Sequence, residues 1–275
     1  MTASVEALLR CPVCGREGEQ TADGKSFFCH GSKRHCFDFA RSGYLNFSRD
    51  GKTGDAKAAV RARSAFLSAG YYQPLSDRIG EILKEFGSAT VLDAGCGEGY
   101  YTNRIAPGRT VLGVDLSRDG IDHAAKTAKQ TGSGAGFAVC SLFEVPVADG
   151  SFDAVMSLFA PCAEGEFCRV LKAGGILILV GAGEEHLMGL KRVLYDTPRI
   201  NPGRADLPEQ LTEIGRERLR GELTVKGAEM VDALFSMTPY YWRTSEKDRA
   251  KLNGLTALTT TYDFDIFLYR KDRRI

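Results

Sequence analysis

A strand-like run that breaks into three alternating glycines constrains this chain more than any other feature. In "TVLDAGCGEGYYT", Gly95, Gly97 and Gly99 follow an aliphatic segment and open a helical one. Glycines at such a turn let a bound molecule approach the backbone where a Cβ would block it. Asp115 ends the next strand-like run, 20 residues after Gly95. Adjacent parallel strands bring their carboxyl ends to one crevice, so a carboxylate at that point suits the hydroxyls of a ribose.

The surrounding pattern predicts the sheet that this turn requires. The runs "TVLDAG", "TVLGVDL", "GFAVCS", "FDAVMSLF" and "GILILVGA" alternate with helical stretches, which specifies a parallel sheet covered on both faces. Beyond them, "HLMGLKRVLYD" and "EMVDALFSMTP" read as helices and "ADLPEQLTEIGRERLRGELTV" as a charged excursion. In "TTYDFDIFLYRK", Tyr262, Phe264, Ile266 and Leu268 fall on one face of a last strand. Residues 60–86 read as two helices broken between Gly70 and Pro74, and the polar, glycine-bearing "SRDGKTGDAKAA" as a linker.

The glycine spacing separates two nucleotide classes. Dinucleotide folds use G-x-G-x-x-G, whereas this run is Asp93-x-Gly95-x-Gly97-x-Gly99. It resembles motif I of the class I S-adenosylmethionine-dependent methyltransferases, and "VPVADGSFDAV" resembles the segment leading into the fourth strand of that fold. The resemblance implies an α/β, Rossmann-like fold with a seven-stranded sheet. It also implies that backbone around Gly95, Gly97, Glu98 and Gly99 holds the methionyl part of the cofactor, Asp115 the ribose, and Ser141 and Leu142 the adenine. Asp93 is counted with the cofactor-binding residues and has a competing role in ordering the turn by accepting from its amides, and Cys96 and Cys140 are expected to be small packing groups.

A second feature precedes the sheet. "CPVCGREGEQTADGKSFFCHGSKRHCFDFA" holds four of the eight cysteines and two of the four histidines. Cys11 and Cys14 form a C-x-x-C knuckle, and Cys29 with one later group would complete a tetrahedral zinc site. His30 adjoins Cys29 and is the weakest ligand, while His35 and Cys36 are both within reach. A redox role for the knuckle lacks the βαβ context such motifs occupy. Zinc would supply stability that a core of Phe37, Phe39 and Tyr44 is too small to give.

Taken together, "CPVC", "HCFDFARSGYLN", "ARSAFLSAGYYQPL", "LDAGCGEGYYT", "LFAPC", "EEHLMGLK" and "MTPYYWR" resemble the RlmA family over nearly the whole chain. That family comprises zinc-bearing 23S ribosomal RNA (guanine-N1-)-methyltransferases. Its knot ends in C-x-x-x-H-x-F-D, so "CHGSKRHCFD" is expanded by two residues. Aligned on Phe37 and Asp38, the resemblance makes Cys11, Cys14, Cys29 and His35 the ligands, with Cys36 the alternative to His35. It places Tyr72 and His186 on the cofactor. It further implies a zinc-binding, RNA-recognition domain at 1–47, a linker and lead-in helices at 48–88, a methyltransferase domain at 89–275, a 23S rRNA hairpin as partner, and a possible homodimer.

Guanine N1 carries a proton that must leave, so a base is expected; Glu164, just beyond "LFAPC", is one candidate and equally a helix-starting residue. Phe159, Tyr240, Tyr241 and Trp242 are expected to include a base-stacking surface. Residues 1–63 carry eleven Lys/Arg against seven Asp/Glu. Lys33, Arg34, Arg41, Arg49, Lys52, Lys57, Arg61 and Arg63 offer a phosphate-facing patch.

Apolar residues make up 43% of the chain, yet no apolar run approaches the roughly 20 residues of a membrane span. With no secretory signal pattern and irregular cysteine spacing, a cytoplasmic setting is expected. Two rival functions share some of these features. A small-molecule methyltransferase gives no reason for the metal knot, and a non-catalytic RNA binder gives none for an intact glycine turn.

Overall fold

The computed structural model describes residues 1–48 and 57–272. Arg49, Lys52 and most of the expected linker lie outside the described residues. The chain opens with α1 (Ala3–Glu6) and a three-stranded antiparallel sheet, β1 (Gly18–Gln20), β2 (Ser26–Cys29) and β3 (Cys36–Asp38). Phe47 packs edge-on against both Phe27 and Phe37, at 6.3 and 5.1 Å between ring centroids. The next strand, β4 (Leu45–Asn46), leaves this small sheet and pairs in parallel with the large one at Ala138 and Val139.

Helices α2 (Lys57–Ser68) and α3 (Gln73–Glu85) follow, broken at Gly70 with Pro74 in the first turn of α3. Proline is tolerated there because that amide lacks an intrahelical partner. Then come β5 (Thr90–Ala94), α4 (Tyr100–Ile105), β6 (Thr110–Asp115), α5 (Arg118–Thr131), β7 (Gly136–Val139), β8 (Phe152–Leu158), α6 (Glu164–Val170), β9 (Leu171–Ala182) and α7 (Met188–Leu194). The chain closes with β10 (Thr212–Lys226), α8 (Ala228–Ser236), α9 (Glu246–Arg249) and β11 (Ala257–Arg270).

Among the described residues the large sheet runs β10-β11-β9-β8-β5-β6-β7-β4. Six of its strands, β5 to β9 and β11, are those that the sequence pattern announces, and the resemblance implies a seventh; the two-residue β4 is an eighth that neither announces. The order reverses between β5 and β8, which pair in parallel. At such a switch point the connecting loops diverge and leave a crevice above the strand ends.

The excursion after α7 is in fact β10, which pairs antiparallel along β11. Its charges mask the strand pattern. Arg216 and Arg218 face Asp265 and Asp263 on β11, and Arg78 of α3 grips Glu217 with two hydrogen bonds of 2.7 and 2.8 Å. Charged edge strands of this kind resist pairing with other chains.

Two apolar layers sandwich the sheet, as its doubly covered strands require. Phe264, Ile266 and Leu268 of β11 join one layer with α3, α7 and α8, while Phe267 and Tyr269 join the other. That second layer also contains Val5, Leu9, Phe27 and Leu45. The small N-terminal sheet therefore shares a core with the large one, and Arg10 donates its amide to the Pro146 carbonyl at 2.7 Å.

Candidate active site and metal centre

A cavity of about 940 Å³ opens over the switch point, lined by the glycine turn, the loops after β6, β7, β8 and β9, and α2. Gly95 has φ +82°, and a Cβ there would lie 2.6 Å from the Ala160 Cβ. Only glycine satisfies both the left-handed conformation and the close approach. Gly97 donates its amide to Asp115 Oδ2 at 3.0 Å, and Ser117 donates to Oδ1 at 2.7 Å. Asp115 thus braces the turn and keeps one further acceptor position on each oxygen.

The expected bracing by Asp93 is corrected here. Asp93 is buried and accepts from the Thr102 hydroxyl at 2.5 Å instead of from the turn amides. Burial pushes its carboxyl up to about 7, opposed by that hydrogen bond and reinforced by Asp115 and Glu98. Glu98 lines the cavity and is likewise raised by burial, with Arg63 of α2 opposing from 3.4 Å. Arg63 is therefore no part of an outward basic patch; it points into the cleft. Gly99 does not line the cavity. Its φ is +76°, and a Cβ would meet the Ala124 Cβ at 2.5 Å, so it serves the packing of α4 on α5.

Ser141 and Leu142 line the cavity after β7, with Leu142 against the glycine turn. Cys96 and Cys140 are buried, and burial raises both thiols. Tyr72 and His186 close the far wall, with the Tyr72 hydroxyl 3.2 Å from His186 Nε2. His186 Nδ1 accepts the Asp263 amide at 3.3 Å, and burial lowers the imidazole to about 4. The ring is neutral at pH 7, with its proton assigned to Nε2 by the bond at Nδ1.

Phe159 stands at the cavity mouth with φ +56°, 46% exposed, and stacks toward His186 at 6.4 Å. A non-glycine residue held in that conformation stores strain, which structures retain mainly at functional sites. Tyr240 also lines the cavity, whereas Tyr241 and the 84%-exposed Trp242 do not. Glu164 is outside it as well: it starts α6 and accepts the Gln210 amide. The cavity also holds groups that no motif pointed to, namely Phe143, Arg204 and Asp206. Arg204 and Asp206 come from the segment between α7 and β10, which has no periodicity to mark it.

At the N-terminus, the ligand atoms of Cys11, Cys14, Cys29 and His35 lie within 4.8 Å of one another. His35 Nδ1 is 3.5 Å from both Cys11 Sγ and Cys29 Sγ, and Cys14 Sγ is 3.6 Å from Cys29 Sγ. Gly31 passes so close that a Cβ would sit 3.1 Å from Cys14 Sγ. Cys36 is exposed and outside the group, and His30 turns toward Glu19 at 3.5 Å.

A family model described as a methyltransferase domain matches residues 91–175, from β5 to β9. YxjB of Bacillus subtilis (strain 168), provisionally named a 23S rRNA (guanine-N(1)-)-methyltransferase, is 34% identical over 96% of this chain and 98% of its own. The chain belongs to the 23S rRNA (guanine-N1-)-methyltransferase family. A Micromonospora griseorubida protein provisionally given the same name is 31% identical over 90% of both chains. The 23S rRNA (guanine(748)-N(1))-methyltransferase of Streptomyces fradiae is 28% identical over 97% of this chain and 98% of its own. These methyltransferases match the chain well beyond residues 91–175. Among the described residues no helix is long and apolar enough to cross a membrane.

Proposed function

We propose that this protein transfers a methyl group from S-adenosylmethionine to N1 of a guanine in a hairpin of 23S ribosomal RNA. One observation carries the reading: a single cavity joins Asp115 and the glycine turn at one end to the exposed ring of Phe159 and to Tyr240 at the other. That span accommodates a nucleoside cofactor beside a second aromatic group. The names of the full-length relatives support the substrate.

S-adenosylmethionine, when bound, supplies an electrophilic methyl group. The residues fit it: Gly95 and Gly97 leave open backbone, Asp115 offers acceptors to ribose hydroxyls, Ser141 and Leu142 flank the adenine position, and Tyr72 offers a hydroxyl. Asp93 accepts from Thr102 of α4, Glu98 pairs with Arg63, and His186 orients Tyr72. Transfer by in-line attack requires alignment above all. A guanine N1 within a paired stem is inaccessible, so the base must be extruded into the cavity, where Phe159 and Tyr240 provide faces to stack on.

Cys11, Cys14, Cys29 and His35 would hold zinc. Three of their separations, 3.5, 3.5 and 3.6 Å, match the edges of roughly 3.5 to 3.8 Å that tetrahedral zinc–sulfur and zinc–nitrogen bonds give. The zinc module at 1–47, with exposed Lys33, Arg34 and Arg41, would grip the RNA backbone. Arg34 is partly spent in this role, because it stacks on Phe28 at 3.6 Å.

Tritiated methyl transfer to unmodified ribosomal RNA tests the reading. Label in the large RNA, mapped to guanine N1, is the expected result. Label confined to small acceptors, or at another atom, overturns it.

A further inference from the structure

We infer that Asp206 is the acceptor that recognises the guanine edge and takes the N1 proton, held in place by Arg204. The inference rests on the function proposed above and assigns the base that the reaction requires.

Guanine presents donors at N1 and N2, so a site that selects it needs an acceptor facing that edge. Among the described residues, four acidic side chains line the cavity: Asp93, Glu98, Asp115 and Asp206. The first three belong to the cofactor end, where Thr102, Arg63 and the turn amides engage them. Asp206 alone belongs to the other end, beside the loop that carries Phe159. Its Oδ2 accepts the Cys162 amide at 2.7 Å and an Arg204 N–H at 2.9 Å. Oδ1 lies 2.8 Å from Arg204 Nε, and the side chain is 47% exposed. Oδ2 is therefore filled by two donors, and the open acceptor position is on Oδ1.

Arg204 is built as a clamp and not as a second recognition group. Its side chain is 8% exposed, and its guanidinium also donates to the carbonyls of Val180 at 3.1 Å and Ala160 at 2.7 Å. Ala160 is the residue packed against Gly95. A short chain of contacts thus ties Asp206 to the glycine turn, so the acceptor is registered against the cofactor end. In the reaction, the N1–H electron pair forms the new N1–carbon bond while the carbon–sulfur pair stays on sulfur. The proton passes to an Asp206 oxygen and then to solvent.

The test uses the full-length protein, 23S rRNA transcripts and the variants Asp206→Asn and Asp206→Glu. Without cofactor, wild type is expected to bind a hairpin bearing the mapped guanine at least about tenfold more tightly than one bearing adenine there, since a hydrogen bond to a charged group contributes ~1.5–3 kcal/mol. Asp206→Asn is expected to reduce that preference below about threefold and to lower kcat about 100-fold or more. Its S-adenosylmethionine affinity stays within about twofold, which shows that the variant is folded, and Asp206→Glu recovers part of both losses. If wild type methylates the RNA and Asp206→Asn keeps both its preference and its kcat, this inference falls while the proposed function stands. If wild type methylates no guanine N1, the proposed function falls and this inference with it.

Discussion

The Tyr72 hydroxyl lies 3.2 Å from Nε2 of His186, and both side chains are buried. Because the Asp263 amide occupies Nδ1, the neutral imidazole donates from Nε2, and Tyr72 accepts with its oxygen. The phenolic proton is then free to be donated into the cavity. Replacing Tyr72 by phenylalanine removes that donor and little volume. S-adenosylmethionine affinity is expected to weaken about 3- to 10-fold, the worth of one hydrogen bond of ~1 kcal/mol. Calorimetric titration checks it, and an unchanged Kd removes Tyr72 from the cofactor's contacts.

His186 and Asp93 make opposite demands on pH. Burial holds His186 at about 4 against an ordinary 6.5, so its contribution to stability is lost as pH falls from 6.5 through 4. Burial, helped by Asp115 and Glu98, lifts Asp93 to about 7 from 3.8, so its contribution is lost as pH rises through that span. Each effect is on the order of 3 kcal/mol, and in the wild type they largely offset between pH 4 and 6.5. Thermal melts should show Tm falling with rising pH in His186→Asn and rising with pH in Asp93→Asn. Parallel profiles in the two variants contradict the assignment.

Local rules made the cofactor end of this molecule legible. A strand, three glycines and an acid at the end of the next strand suffice to place Gly95, Gly97 and Asp115, because the backbone geometry itself demands those residues. Strand β10 was hidden because its less exposed row, Glu217, Leu219, Gly221, Leu223 and Val225, mixes a charge and a glycine with the apolar groups, so the alternation is diluted; Glu217 is held there by Arg78 of α3. Strand β4 was hidden because two residues carry no period at all. Arg63 appeared to belong to a basic surface, and only the packing of α2 over the cleft turns it toward Glu98. Asp206 depends on contacts with Arg204 and Cys162 that are remote or irregular in sequence, so no spacing marks it.

The three glycines should separate by experiment. Gly95→Ala meets the Ala160 Cβ and carries a left-handed backbone penalty of about 1–2 kcal/mol. Because Ala160 forms part of the cleft wall, loss of cofactor binding by 100-fold or more is expected, on the order of 3 kcal/mol. Gly99→Ala meets Ala124 away from the cavity, so it should lower Tm by several degrees, for a cost of about 2 kcal/mol, and weaken cofactor binding less. In Gly97→Ala the Cβ meets no described protein atom closer than an Arg63 nitrogen at 3.5 Å, so its cost to Tm should be the mildest of the three, while a Cβ on the cavity wall should weaken cofactor binding more than Gly99→Ala does. Paired melting and titration data on the three variants check this order.

Metal analysis of the purified protein should find one zinc per chain, retained in Cys36→Ala and lost in Cys14→Ala and His35→Ala. Cys36 is exposed and outside the cluster, whereas the other two each supply one of four ligand atoms. Loss of the metal frees the 11–14 and 29–35 loops, but Leu9, Phe27 and Leu45 stay buried in the layer shared with the large sheet. The two functions should therefore part company. S-adenosylmethionine affinity is expected to stay within about threefold while RNA affinity falls tenfold or more, a loss of at least ~1.4 kcal/mol. Equal losses of both would mean that zinc stabilises the whole molecule through that shared core, and zinc retained without His35 would reassign the fourth ligand to Cys36.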